Sequence, residues 1–318
     1  MRIQRSVPGA AQSSVALTIG NFDGVHLGHQ AMLARLRTAA AARGLSTCAM
    51  TFEPHPREFF APDQAPTRLT SLREKLELLA HHGMEQVQVC RFDYGFAQTS
   101  AEDFIERILV RGLGARWILV GDDFRFGARR AGDFVMLKQY ATRLGYEVEA
   151  MASVVHAGER VSSTAVRTAL AAGELEHAGA LLGRPYSISG RVVHGDGLGR
   201  KLGFPTANVQ MKHNRPPLFG IFAVELAGVG PARLRGVASL GVRPTIRAGG
   251  RPVLEVHVFD WNASLYGRHV RVDFMRKLRD EEKYVDLDTL TRQIALDVEH
   301  AKDYFRARDA AAPRKAQR

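Results

Sequence analysis

The chain has 318 residues, of which 45% are hydrophobic, 24% charged and 8% aromatic. That length favours two domains at roughly 100–200 residues each, and the composition excludes a disordered tail or a fibrous repeat. Lysine and arginine exceed aspartate and glutamate by 11, with five basic residues and one acid in Arg306–Arg318. The rest of the excess is interspersed among acids, so a phosphate-rich small ligand explains it as well as a nucleic acid does.

No apolar run approaches the ~20 residues needed to cross a bilayer, and the opening MRIQRSVPGAAQSS lacks the apolar stretch of a secretory signal. A cytoplasmic protein with no membrane association is expected. Cys48 and Cys90 sit in apolar, strand-like stretches and are expected to be buried, reduced thiols. None of the 12 histidines joins a cysteine or carboxylate at metal-ligand spacing.

The first half alternates strand-like runs (Val15–Ile19, Ser46–Phe52, Gln86–Phe92, Trp117–Gly121, Tyr146–Val155) with helical patterns (Gln30–Arg43, Leu72–His82, Ala101–Leu109). Ser71 with Glu74, and Ser100 with Asp103, have capping-box spacing, and Gly44 and Gly83 stand where helices stop. Strands separated by helices imply a doubly wound parallel sheet, the α/β class, with ligands at the carboxyl ends of the strands.

The segment Gly20-Asn21-Phe22-Asp23-Gly24-Val25-His26-Leu27-Gly28-His29 follows the first strand and opens the first helix. Its amides and the helix dipole face any anion bound there. His26 and His29, three apart, project to one side and can donate hydrogen bonds to phosphate oxygens. A turn with two surface histidines is the competing reading.

Near Gly183 the rhythm changes. Two short helical patterns, Thr164–Ala171 and Leu175–Leu182, give way to closely spaced strands: Ser187–Val193, Ile221–Leu226, Arg233–Leu240, Val253–Phe259 and His269–Met275. Glycine- and proline-rich turns between them point to a small antiparallel barrel or sandwich. A final helix aligns Leu290, Ile294, Val298, Ala301 and Phe305 on one face. The expected domains are 1–182 and 183–308, followed by a disordered basic tail, 309–318.

GNFDGVHLGH resembles the signature of the HxGH nucleotidyltransferases. Three further segments narrow the likeness: Thr51-Phe52-Glu53-Pro54-His55-Pro56, Gly121-Asp122-Asp123-Phe124-Arg125-Phe126-Gly127, and Arg160-Val161-Ser162-Ser163-Thr164-Ala165-Val166-Arg167. Together they resemble the adenylyltransferase half of the bacterial bifunctional riboflavin kinase/FAD synthetase family. The resemblance implies that Gly20, Asn21, Phe22, Asp23, Gly24, Gly28, His55, Asp122, Asp123, Arg125, Arg160, Ser163 and Thr164 bind ATP and its phosphates, with His26 and His29 catalytic. Local structure offers alternatives: His55 between two prolines as a rigid surface loop, Asp122 and Asp123 as helix caps, Ser163 and Thr164 as ordinary N-cap residues, Arg167 on a solvated face. The implied chemistry is attack of the FMN phosphate on the α-phosphorus of ATP. That nucleophile is already an anion, so the reaction needs positioning and charge stabilisation rather than a general base.

The second half carries Gly190-Arg191-Val192-Val193-His194-Gly195-Asp196-Gly197-Leu198-Gly199-Arg200-Lys201-Leu202-Gly203-Phe204-Pro205-Thr206-Ala207-Asn208. A glycine-rich loop of this kind lies against phosphates through its amides. Joined to GFPTAN it resembles the riboflavin kinase signature. That likeness implies a small antiparallel barrel with a carboxy-terminal helix, phosphate contacts from Gly195, Gly197, Gly199, Lys201 and Gly203, and Mg²⁺ held with ATP by Thr206 and Asn208. In Leu254–Phe259, Glu255 shares a strand face with His257. A solvated face would explain both; the resemblance makes Glu255 the base for the riboflavin hydroxyl, an alcohol that must lose its proton on phosphoryl transfer. Arg235–Ile246 and Tyr266–Arg279 complete the likeness, except that Ser239-Leu240-Gly241 stands where the family often has Asn-Ile-Gly. His257 and Arg279 are further possible linings of the flavin pocket.

The expected activity is therefore phosphorylation of riboflavin to FMN and adenylylation of FMN to FAD, with ATP, riboflavin and FMN as partners and flavins as substrate and product. Two rival readings are another HxGH transferase fused to a barrel, acting on a pantetheine- or nicotinate-type phosphate, and a basic nucleic-acid-binding module. No nucleic-acid-binding motif accompanies the charge, so no nucleic acid is expected.

Overall fold

The computed structural model describes residues 1–213, 215–242 and 252–311. Arg243-Pro244-Thr245 and the tail from residue 312 lie outside the described residues. The chain forms two compact units, Met1–Pro66 with Thr70–Ser163, and Thr67–Leu69 with Thr164–Arg318.

The first unit is built on six parallel strands: β1 (Arg2–Gln4), β2 (Val15–Ile19), β3 (Ser46–Glu53), β4 (Gln86–Arg91), β5 (Ala115–Gly121) and β6 (Glu147–Met151), in the order β1-β4-β3-β2-β5-β6. Alternation in β2 shows why both faces are covered. Val15, Leu17 and Ile19 pack into one apolar cluster and Ala16 into the other. The second cluster takes Leu33 and Leu36 of the helix Leu27–Arg43 and Leu79 of the helix Leu72–His81. Gly44 ends the first of these helices at φ 62°, the left-handed turn expected of it. Both predicted cap hydroxyls work: Ser71 forms a full capping box with Glu74, and Ser100 accepts from the Asp103 amide.

The order of strands reverses direction at β2, with β3 on one side and β5 on the other. A cleft opens there beyond the carboxyl ends. Three local differences from the sequence expectation stand out. β1, three residues at a sheet edge, is too short to carry a periodic signal. The stretch Tyr146–Val155 breaks after Met151, and β7 (Val155–His156) pairs instead with β8 (Glu159–Arg160). The helix expected over Ala101–Leu109 begins as an α-turn, Ala101–Asp103, and winds as a π-helix over Phe104–Gly112.

In the second unit, β9 (Tyr186–Val193), β10 (Ala207–Gln210), β11 (Gly220–Ala227), β12 (Leu234–Val242), β13 (Pro252–Val258) and β14 (His269–Arg279) close into a barrel ordered β10-β13-β12-β11-β14-β9. All its pairings are antiparallel. β11 again shows the period of two: Phe222 and Val224 are fully buried, while Ile221 and Ala223 meet Val298, Ala301 and Phe305 of the helix Leu287–Ala311. The helices Ser163–Ala171 and Leu175–Leu182 precede the barrel, and the second packs on β9 and β14. The second unit thus begins at Thr164, before the expected boundary at 183, and its helix Leu175–Leu182 packs against the barrel. The final helix runs on to Ala311, so 309–311, expected as part of a disordered tail, are helical.

Candidate active sites

In the first unit a cavity of about 930 Å³ lies at the carboxyl ends of the parallel strands. Gly20 and Asn21 enter it after β2, Phe52 from β3, Phe92 after β4, and Asp123 and Arg125 after β5. The loop Gly20–His29 is strained: Phe22 and Val25, both fully buried, sit at φ 48° and 40°. L-residues adopt that region only where surrounding contacts impose it. Those contacts are visible. The Asp23 carboxylate accepts from the Thr70 amide at 2.9 Å and the Thr70 hydroxyl at 3.1 Å, and that hydroxyl accepts from the Gly24 amide at 3.1 Å. Ser163 Oγ donates to the Asp23 carbonyl at 3.0 Å, and Thr51 Oγ1 to the Asn21 carbonyl at 3.2 Å. Asp23 and Ser163 are thus engaged in shaping the loop.

His26 caps the helix Leu27–Arg43, its Nδ1 accepting from the His29 amide at 3.3 Å. An accepting nitrogen carries no proton, which leaves Nε2–H as the donor of His26. A Cβ at Gly28 would press on the His26 ring at 3.2 Å, so the small residue leaves room for that imidazole. The two histidine rings stack with centroids 3.7 Å apart. Burial, then His26, then Lys75 hold the His29 imidazole well below its usual pKa. Lys75 itself is buried, with Nζ 3.4 Å from Thr51 Oγ1. Buried Nδ1 of His29 and Oδ1 of Asn21 have no hydrogen-bond partner among the described residues.

The remaining predicted residues spread around this frame. His55 lines the cavity and caps the short helix Pro56–Phe60, its Nδ1 accepting from the Arg57 amide at 3.1 Å. Asp123 lines the cavity and pairs with Arg160 at 2.9 Å, whereas the exposed Asp122 is not part of the lining. Thr164 lies in the first turn of the helix Ser163–Ala171. Arg167 donates to the Thr67 carbonyl at 2.6 Å, a structural contact. The sequence reading missed the aromatic wall of Phe60, Phe92, Phe96 and Phe124, the arginines Arg57, Arg129 and Arg130, and Lys75. These residues come from the segments after β3, β4 and β5 and, for Lys75, from the helix Leu72–His81, so they form no single motif; their only signal was phenylalanine recurring at successive strand ends.

In the second unit a cavity of about 660 Å³ is lined by the loop after β9, by strands β10, β12 and β13, and by the start of the final helix. Glu255 on β13 stands opposite Asn208 on β10 and opposite Ser239 on β12. Directly opposed residues share a sheet face, so the three side chains face the cavity together. Thr206 Oγ1 lies 3.4 Å from Glu255 Oε2. The glycines make room for these oxygens: a Cβ at Gly195 would run into the Asn208 amide, and one at Gly199 would lie 3.3 Å from Thr206 Oγ1. Gly197, at φ 71°, and Gly203, at φ 89°, make the turns at either end of the helix Leu198–Lys201. Lys201 is exposed and lines neither this cavity nor its smaller neighbour.

His257 and Arg279 both line the cavity. His257 Nδ1 lies 2.9 Å from the Pro205 carbonyl, and Arg279 makes a bidentate pair with the buried Asp297 at 2.8 and 2.6 Å. Ser239, where the family often has asparagine, donates to Glu281 at 3.2 Å. Among the described residues no three histidine, cysteine or acidic groups cluster to hold a metal. Thr206 and Asn208 offer neutral, hard oxygens, a donor set that fits Mg²⁺ bound chiefly through phosphates and water. Cys48 and Cys90 are free and buried, and burial pushes both thiols up to about 12. No described helix is long and apolar enough to cross a membrane.

The FAD synthetase family model matches residues 9–165 and the riboflavin kinase model residues 182–305. The bifunctional riboflavin kinase/FMN adenylyltransferase of Escherichia coli strain K12 is 49% identical over 93% of this chain and 94% of its own length. That of Pseudomonas fluorescens is 47% identical over 90% and 91%. Among solved structures, a macrolide-efflux protein from Streptococcus pneumoniae superposes with a TM-score of 0.81 at 28% identity, over 95% of this chain and 99% of the other. Export is said of that protein alone; what the two share is architecture across both units.

Proposed function

The chain belongs to the family of bifunctional riboflavin kinase/FMN adenylyltransferases, and from that premise we propose how its residues divide the two reactions. The carboxy-terminal half phosphorylates riboflavin to FMN, and the amino-terminal half adenylylates FMN to FAD. The family thereby displaces both rival readings, a different HxGH transferase and a nucleic-acid-binding module.

In the kinase half, Glu255 takes the proton of the flavin's primary hydroxyl as it attacks the γ-phosphate of ATP. The observation that carries this is its placement: a carboxylate 3.4 Å from Thr206 and directly opposite Asn208. Base and phosphate-side oxygens therefore meet on one face of the cavity, and a base must reach the proton it removes. Thr206 and Asn208 would hold Mg²⁺, which when bound with ATP offsets charge on the phosphate oxygens. The amides of Gly195–Gly203 lie along the phosphates. Lys201, exposed and outside the cavity lining, acts by long-range attraction.

In the adenylyltransferase half, the strained loop Gly20–His29 presents its amides to the ATP phosphates, and His26 and His29 donate to the oxygens where charge develops. The aromatic cavity beside it takes the flavin ring. Its phenylalanine wall supports this, since a planar apolar body stacks on such rings. Asp123 and Arg160 order the cavity rim; Asp23 and Ser163 hold the loop. The functional division falls near 182/183, where the kinase model begins, although the helix Leu175–Leu182 packs with the barrel. A cytoplasmic location and the absence of a nucleic-acid partner complete the proposal.

Incubation with riboflavin, ATP and Mg²⁺, followed by chromatographic separation of the flavins, tests the whole scheme. FMN is expected first and FAD after it. Unchanged riboflavin would overturn the scheme.

A further inference from the structure

The cavity of the first unit carries a feature that the reaction scheme leaves unused. Residues Phe126–Gly132 form a loop pinned at its base by reciprocal hydrogen bonds, Phe126 N to Gly132 O at 3.0 Å and Gly132 N to Phe126 O at 2.9 Å. The Ala128 amide donates to the Thr99 carbonyl at 2.8 Å, and the Arg130 amide to the Gly127 carbonyl at 3.0 Å. At the tip, Arg129 and Arg130 both adopt positive φ, 53° and 59°. Two consecutive arginines in that region persist only where the surroundings impose it. Here the loop cannot relax inward: a Cβ at Gly127 would lie 2.7 Å from the Ala101 backbone, and one at Gly132 would run into the Phe126 ring.

Both arginines line the cavity and are exposed, and neither has a carboxylate partner among the described residues. Arg160 nearby is different, being neutralised by Asp123. The same cavity presents Phe60, Phe92, Phe96 and Phe124. Unpaired planar cations beside an aromatic wall suit a ligand with a flat apolar body and an anionic end. The Gly20–His29 loop already supplies amides for one set of phosphates, so the arginines answer to another.

We infer that Arg129 and Arg130 determine specificity in adenylyl transfer by gripping the phosphate monoester of FMN, so that this half takes the phosphorylated flavin and rejects riboflavin. The inference rests on reading the aromatic cavity as the flavin site. A pre-shaped loop loses little freedom on binding, so the charge-assisted pairs go largely into affinity.

The test uses the full chain carrying Arg129→Gln and Arg130→Gln, with FMN supplied directly. KM for FMN should rise at least tenfold, with kcat and KM for ATP within twofold of wild type. The Arg→Lys pair should restore part of the loss. Riboflavin, assayed as a competitor of FMN in a Glu255→Gln background that does not consume it, should inhibit as well as before. An unchanged KM for FMN overturns the inference, as does a rise in KM for ATP instead. Equal weakening of FMN and riboflavin also overturns it, because the loop would then only shape the cavity. Phe60→Ala tests the underlying reading separately. It should weaken FMN and riboflavin alike, and no effect on either would remove the flavin from this cavity whatever the arginines do.

Discussion

The imidazoles of His26 and His29 stack with an interplanar angle of 18° and centroids 3.7 Å apart. One turn of helix thereby holds two imidazoles against each other, with burial, His26 and Lys75 opposing a positive charge on His29. His29→Ala should cut FAD formation by about 10²–10³-fold, the cost of one preorganised donor, with FMN formation within twofold of wild type. Equal loss of both activities in a folded variant would contradict the division of labour.

The same shift predicts a pH dependence of stability. Above the ordinary histidine pKa, His29 is neutral in folded and unfolded chains alike. As pH falls through that value, the unfolded chain takes up a proton that the native site resists, so stability falls towards the lower native pKa. Thermal unfolding between pH 7.5 and 5.5 should show a smaller acid loss in His29→Gln than in wild type.

Asp23 braces the strained loop through Thr70. Asp23→Ala should leave the Thr70 amide and hydroxyl without this acceptor in a buried setting, costing about 1–3 kcal/mol. Urea unfolding measures it, and a change below a few tenths would show that other contacts hold the loop.

Glu255→Gln keeps the shape of the kinase cavity and removes the proton acceptor. Riboflavin phosphorylation should slow by about 10²–10⁴-fold, while FAD formation from supplied FMN continues. Near-normal phosphorylation would assign the base elsewhere.

Gly195→Ala places a methyl group where the Asn208 amide lies. The expected outcome is a raised Mg²⁺ requirement for FMN formation with little change in adenylyl transfer, read by titrating the metal in both assays.

Much of this molecule was legible in advance, for identifiable reasons. The apolar runs of β2 and β11, the Ser71–Glu74 cap and the Gly44 stop are local signals, and each is realised in the structure. The contiguous motifs around His29 and Thr206 led to the two candidate sites because each spans a single strand end or turn. What escaped was assembled from distant parts. Lys75 acts on His29 from another helix, and Phe60, Phe96 and Arg130 meet only once the strands are ordered. β10 starts on the last two residues of the GFPTAN motif, and its four residues are too few to show a period. The π-winding of Phe104–Gly112 adds a residue per turn without altering which residue types appear.

That short strand β10 does two jobs at once. It is the stave that seals the cylinder between β9 and β13, and it carries Asn208 at the seam. Slippage by a single step would turn Asn208 away from the cavity and part the joint in the same movement. Phosphorylating capacity and resistance to heat should therefore decline together in variants of Ala207–Gln210, leaving no sequence there that trades one for the other.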